Sequence, residues 1–194
     1  MKLLKNGRYR CSTTVPATSI AELSVRRASP EEARHVHQIL DEAARWLERY
    51  HRPLWIQGEV EFSRIERELR YGACYILARV HDELAGTVKY LTEDNVFWPD
   101  VPPGEAAYIH HLAVRRKFAG GAVSGALLRK AADLAREANR MLLRLDCDAG
   151  SYRLRQTYEH FGFRFHSAME LGPYSLARYE MPLCKRHDIV SSRS

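Results

Sequence analysis

The chain has 194 residues, 45% hydrophobic and 28% charged, the balance of a globular domain rather than of a disordered chain. Its formal net charge of +6 sits at the two ends: Lys2, Lys5, Arg8 and Arg10 precede the first acid, Lys185, Arg186 and Arg193 outweigh Asp188 near the end, and residues 21–181 sum to zero. A nucleic-acid partner would call for a basic folded face, and a membrane helix for about 18 apolar residues in a row; neither is present in this sequence.

The opening MKLLKNGRYRCSTTVPATS lacks the apolar stretch of a secretory signal. It is basic and acid-free, which leaves a transit peptide open, and the expectation is a flexible tail over 1–22. A folded domain is expected over 23–183 and a second tail over 184–194. Cys11, Cys74, Cys147 and Cys184 form no CxxC pair, so they read as reduced thiols in a reducing, cytoplasmic compartment, with Cys74 and Cys147 in strands.

LSVRRA (23–28) predicts a strand. Ser29 is a natural N-cap with Pro30 behind it, and Val36, Ile39, Leu40, Ala43 and Leu47 recur at helical spacing up to Tyr50. HRPLW breaks that helix. EVEFSRIERELRYG (59–72) predicts a second helix stopped by Gly72. ACYILARV and GTVKYL pair as a hairpin about HDELAG, and a Pro- and Asp-rich loop fills 92–105. AAYIHHLAV (106–114) is a strand, residues 122–139 an amphipathic helix, MLLRLDCD (141–148) a strand, and 151–162 a helix ended by Gly162. FRFHSAMEL and SLARYEMPL close as a hairpin around GPY. The order βααβββαβαββ predicts an α/β fold with a mixed central sheet flanked by helices.

The segment VRRKFAGGAVSG joins a strand to a helix through small residues. Such a turn lets backbone N–H groups approach an anion, and the helix behind it adds free donors and a positive dipole end. A pyrophosphate would suit that arrangement, although a plain flexible turn explains the same residues. No GK[ST] comes after it, so it is not a Walker motif.

The stretch resembles the acetyl-CoA signature of the GNAT (Gcn5-related N-acetyltransferase) superfamily. Leu112-Ala113-Val114 opens the pattern, Gly120 and Val123 fit it, and Leu127-Leu128 closes it. Arg116, Ala119, Ala122 and Ser124 depart from the usual Pro, Arg or Gln, and two glycines. Ala122 would be strained if its position required positive φ. A second block, LRLDCDAGSYRLRQTYEHFGF, is similar to the family's late strand and helix, with Tyr158, Glu159, Gly162 and Phe163 on its Y-E-x-x-G-F ending. Ser151 stands where Asn is common. The resemblance runs from about residue 23 to 183 and implies a GNAT-like fold.

It also implies acetyl-CoA as co-substrate. Leu112, Ala113 and Val114 would offer backbone partners to pantetheine and to the thioester oxygen. Ala119, Gly120, Gly121, Ala122, Val123 and Ser124 would hold the pyrophosphate, with Ser151 contributing a further contact. Tyr158 would be the acid for the leaving thiolate; by spacing alone it is equally a core aromatic beside Leu154 and Phe161. His110, two residues before Leu112, resembles the catalytic histidine of the family's arylalkylamine branch, whose further histidine is here Tyr108. An imidazole with pKa near 6.5 suits a base, with Glu105 acting through water as the other option. Strand alternation predicts that His111 faces away from the site of His110.

His35 and His37 diverge on a helix and no HExxH or Cys/His cluster occurs, so no metal is expected. Trp46, Tyr50 and Trp55 are candidates for an aromatic acceptor wall, with Glu59 and Glu61 attracting an amine. The expected activity is N-acetyl transfer to a small-molecule or peptide amine, by a monomer or a homodimer paired through the closing strands. The altered glycine positions leave a non-catalytic acyl-CoA sensor as the alternative.

Overall fold

The computed structural model describes residues 23–50, 55 and 58–183. Both expected tails, with Cys11 and Cys184, and residues 51–54 of the helix-breaking HRPLW lie outside them. Strand β1 (Leu23–Arg27) leads through a 3-10 turn (Pro30–Glu32) into α1 (Ala33–Glu48) and α2 (Phe62–Arg70). Then come β2 (Cys74–Val80), β3 (Glu83–Leu91), β4 (Ala106–Val114), a 3-10 turn (Arg116–Phe118), α3 (Val123–Glu137), β5 (Leu142–Asp148), α4 (Tyr152–Phe161), β6 (Arg164–Leu171) and β7 (Tyr174–Pro182). The order is the expected βααβββαβαββ. The second helix starts later than its sequence suggested, because Glu59 and Val60 lie in a turn. Among the described residues no helix is long and apolar enough to cross a membrane.

All strands join one sheet in the order β1-β2-β3-β4-β5-β7-β6. Alternate residues of β2 serve opposite faces. Tyr75 and Leu77 pack with Val36, Ile39 and Leu40 of α1 and Ile65 and Leu69 of α2, while Ile76 and Ala78 pack with Leu127, Leu128 and Ala131 of α3. The β2–β3 turn puts His81 (φ 48) and Asp82 (φ 63) in the left-handed region, as a two-residue hairpin requires. Cys74 and Cys147 are free thiols on β2 and β5.

Strand β4 has two irregularities. It pairs with β5 in parallel only from Ala106↔Leu142 to Ile109↔Leu145; beyond that the two strands part. It also carries a bulge. Against β3, Thr87 faces Ala113 and Lys89 faces His110, so His111 and Leu112 together oppose Val88 alone, and His111 has φ 52. The bulge reverses the strand's alternation. Ala107 and Ile109 belong to the α3 core, whereas Ala113 belongs to the α1/α2 core.

Gly86 on β3 is where α3 comes closest to the sheet. A Cβ there would lie 2.8 Å from the Ala113 carbonyl oxygen and 3.1 Å from both Leu127 Cδ1 and Val123 Cγ1. Gly86→Ala is therefore expected to cost about 1–3 kcal/mol of stability. An unchanged urea midpoint would show that the neighbours yield freely.

Candidate active site

The parting of β4 from β5 opens a cavity of about 370 Å³. His110, His111 and Leu112 line it from β4, Asp146, Cys147 and Asp148 from β5, and Leu154 and Tyr158 from α4. Asp94, Val96 and Phe97 come from the β3–β4 loop, Lys89 from β3, and Trp55, Glu59 and Arg64 from the α1–α2 side.

The expectation that His110 and His111 face apart is wrong for this strand. Both line the cavity, because the bulge at His111 turns its side chain back to the face His110 already occupies. His111 packs edge-on against Trp55, with ring centroids 5.6 Å apart, and its Nε2 lies 3.7 Å from Glu59. Burial pushes its imidazole pKa down.

His110 sits between two carboxylates. Its Nε2 is 2.9 Å from Asp94 Oδ2 and its Nδ1 is 3.3 Å from Asp146 Oδ1. Burial alone would lower its pKa, but the Asp94 hydrogen bond and the charges of Asp146 and Asp94 outweigh burial and raise it. The ring is thus shifted toward its protonated form relative to the free imidazole expected from the sequence. Asp94 is kept ionised: burial opposes this, yet the His110 contact and the backbone N–H groups of Phe97 (3.0 Å) and Val96 (3.2 Å) hold its pKa below the ordinary value. Asp146 differs. Burial pushes it up to about 6, with His110 only partly opposing.

Neither aspartate was singled out in the sequence. Asp94 belongs to a loop that its composition marked only as loop, and Asp146 belongs to a strand that alternates like any other. The three residues come from separate segments, which is why no metal-ligand spacing is visible in the sequence. Among the described residues their potential ligand atoms do lie within 4.8 Å of one another. Both ring nitrogens of His110, however, already face carboxylates, so the arrangement is a row of charges rather than an open ligand set.

The β3–β4 loop is pinned from behind. Trp98 is 1% exposed, and the guanidinium groups of Arg144 (5.0 Å) and Arg178 (4.8 Å) both pack against its ring. Arg178 donates to both oxygens of Asp100, at 2.6 and 2.9 Å. Arg178 also donates to the Phe97 carbonyl at 3.3 Å, and the Phe97 ring leans on that of His110 at 5.2 Å. Glu105 pairs with Arg144 and does not line the cavity.

Tyr158 is 5% exposed, lines the cavity, and packs edge-on to Phe163 at 5.9 Å. Burial pushes its phenol pKa up. It is therefore both the core aromatic and the cavity-lining hydroxyl that the sequence left as alternatives. Cys147 beside it is pushed up to about 12 by burial, so it stays a thiol.

The small-residue segment lies outside the cavity. Gly120 alone of residues 119–124 takes positive φ (78°), while Ala122 is right-handed at φ −75° and unstrained. The side chains of Val123 and Ala113 are buried in the two cores, so only their backbones are free to serve a ligand. Val114 pairs with Gly86 across β3 and has no β5 partner. The first-turn N–H groups of α3 point out of its N-terminus, as in any helix. Ser151 starts α4 with no side-chain cap bond.

Of the aromatic wall, only Trp55 lines the cavity. Trp46 and Tyr50 stack on each other at 4.9 Å, Arg116 covers Trp46 at 4.2 Å, and Tyr50 is 61% exposed. Phe97 takes the place foreseen for them. Glu61 is the N-cap of α2, outside the lining.

Residues 40–163 match the family described as Acetyltransferase (GNAT) family. Over 145 residues, 71% of this chain and 79% of the relative, the sequence is 28% identical to a Bacillus subtilis (strain 168) protein described as the uncharacterized N-acetyltransferase YesJ. A GNAT-family acetyltransferase from Listeria monocytogenes 4b F2365 superposes with a TM-score of 0.69 at 26% identity, over 83% of this chain and 95% of that one. The putative acetyltransferase yncA of Salmonella typhimurium, solved with its cofactor acetyl-CoA, shares the fold at TM-score 0.62 and 14% identity, over 84% and 95% of the two chains.

Proposed function

The chain belongs to the GNAT family of acetyltransferases, and on that premise we propose that it moves the acetyl group of acetyl-CoA directly to a primary amine of a small molecule or peptide. The observation that carries this reading is the gap between β4 and β5, where His110 on the β4 side faces Asp146, with Tyr158 lining the same cavity.

Acetyl-CoA supplies the thioester. Its pyrophosphate would rest on the backbone of Ala119 to Ser124, where Gly120 makes the turn and α3 presents its free N–H groups. Pantetheine would run along the unpaired β5-facing side of Leu112, Ala113 and Val114, with Ser151 flanking it. The acceptor would enter from Trp55 and Phe97, its ammonium drawn to Asp146. Asp146 then takes the amine proton, while His110, clamped by Asp94, supplies the positive charge that steadies the deprotonated carboxylate. This moves the base from His110 to the row of which His110 is the centre. The neutral amine attacks the carbonyl carbon and the C–N bond forms; as the C–S bond breaks, Tyr158 gives its proton to the departing thiolate and is reprotonated by the second proton leaving the nitrogen, while the first proton passes from Asp146 to solvent. A non-catalytic acyl-CoA sensor would need the same cradle but has no use for three buried charged groups, which cost free energy to desolvate.

Calorimetric titration with acetyl-CoA, with ATP as control, tests the cradle. Micromolar binding of acetyl-CoA and none of ATP is expected; equal affinity for both would mean that the backbone holds any pyrophosphate without reading the pantetheine arm.

A further inference from the structure

Acetyl transfer through Asp146 and Tyr158 leaves a second charged pole of the cavity unused. Lys89 on β3 is the Cα partner of His110, and its Nζ donates to Glu68 Oε2 at 2.7 Å. Glu68 of α2 also accepts from the Tyr75 hydroxyl at 2.7 Å and from Arg64 Nε at 3.1 Å. Burial opposes its ionisation, but these contacts prevail and keep it a carboxylate. One carboxylate therefore serves two cations, and the group carries a surplus positive charge. Both cations line the cavity, and among the described residues the Nη atoms of Arg64 have no carboxylate partner.

The neighbouring row is the mirror case. Asp94 and Asp146 bracket one imidazole ring, so the row offers two carboxylates to at most one cation. Lys89 on β3 and Asp146 on β5 flank His110 from the strands on either side of β4. A simple amine would meet only the negative pole and would leave the surplus positive charge of the other without a ligand group. A molecule bearing ammonium and carboxylate a bond or two apart meets both, and a guanidinium is suited to grip a carboxylate with two parallel hydrogen bonds.

The geometry points to an α-amino acid as the acceptor, its ammonium at Asp146, its carboxylate at Arg64 and Lys89, and its apolar side chain against Trp55 and Phe97. This rests on the acetyltransferase reading. Binding orients the amine for attack, and the product is the N-acetylamino acid with free CoA thiol.

The test measures thiol release from acetyl-CoA with matched acceptors: phenylalanine against 2-phenylethylamine, and leucine against 3-methylbutylamine. For the wild-type protein, kcat/KM is expected to favour the amino acid of each pair by about 10²-fold or more, because the decarboxylated amine leaves the site's cations unpaired. Arg64→Met, at a half-exposed position, should shrink that preference to within about tenfold, the loss appearing in KM for the amino acid. Turnover of the amines equal to or above that of the amino acids, or an undiminished preference in Arg64→Met, overturns the inference and leaves the acetyltransferase reading standing. Release with neither class, by protein that binds acetyl-CoA, overturns both.

Discussion

Asp146→Asn should lose about 10²–10⁴-fold in turnover, the range for a positioned proton acceptor, and lose the acid limb of the pH–rate profile with it. The carboxylate must be ionised to act, and its pKa is pushed up to about 6. Wild-type activity should therefore fall as pH drops through that value, while asparagine has nothing to titrate there. The limb belongs to the whole row, since Asp94, His110 and Glu59 all face Asp146 and shift its proton uptake. Stability should move the other way. A carboxyl whose folded pKa exceeds its unfolded value near 3.9 binds more protons when folded, so it withdraws stability as pH rises from about 4 to 6. The raised His110 contributes stability below about 6.5 that is lost as pH rises through its folded pKa, and it is raised less without Asp146. Both effects have one sign: the thermal midpoint of Asp146→Asn should climb relative to wild type between pH 4 and pH 8. A variant that keeps full turnover, or an acid limb near 6, would remove Asp146 from the chemistry.

Tyr158→Phe should lower the rate of the chemical step by a similar factor, about 10²–10⁴-fold, and leave acetyl-CoA affinity unchanged. The ring contacts with Phe163 (5.9 Å) and Tyr179 (6.4 Å) survive the substitution, so the fold has no reason to shift. Only the hydroxyl is lost. Its proton stays on at neutral pH because burial disfavours the phenolate, which is the state a donor to thiolate needs. Single-turnover rates separate this step from product release; equal rates for variant and wild type would return Tyr158 to a packing role.

The order of strands and helices was legible because each element carries its own signal. Leu127 and Ala131 repeat at helical spacing, Gly162 takes positive φ where α4 ends, and His81-Asp82 makes the turn that HDELAG announces. Of the positions the motif singles out, Tyr158 lines the cavity and Gly120 takes positive φ. What the sequence hid depends on departures from regularity. Alternation assumes an unbroken pleat, and the bulge at His111 breaks it, so His111 was sent to the wrong face. Asp94 reaches His110 only because Trp98, in the same loop, is gripped by arginines of β5 and β7. No local pattern encodes such a grip. The parting of β4 from β5 leaves no trace either, since both strands read as ordinary alternating runs.

That parting also sets an order of assembly. β2, β3 and β4 are sequential antiparallel neighbours, and β6 and β7 form a hairpin, so each side of the sheet can form from contacts close along the chain. The parallel junction of β4 with β5 needs a crossover through α3, a loop to close before any contact rewards it, as β1 with β2 needs the passage through α1 and α2. His110 lies on one side of that junction and Asp146 and Tyr158 on the other. The three meet only once that crossover has closed, so their arrangement reports that the two parts of the sheet have joined.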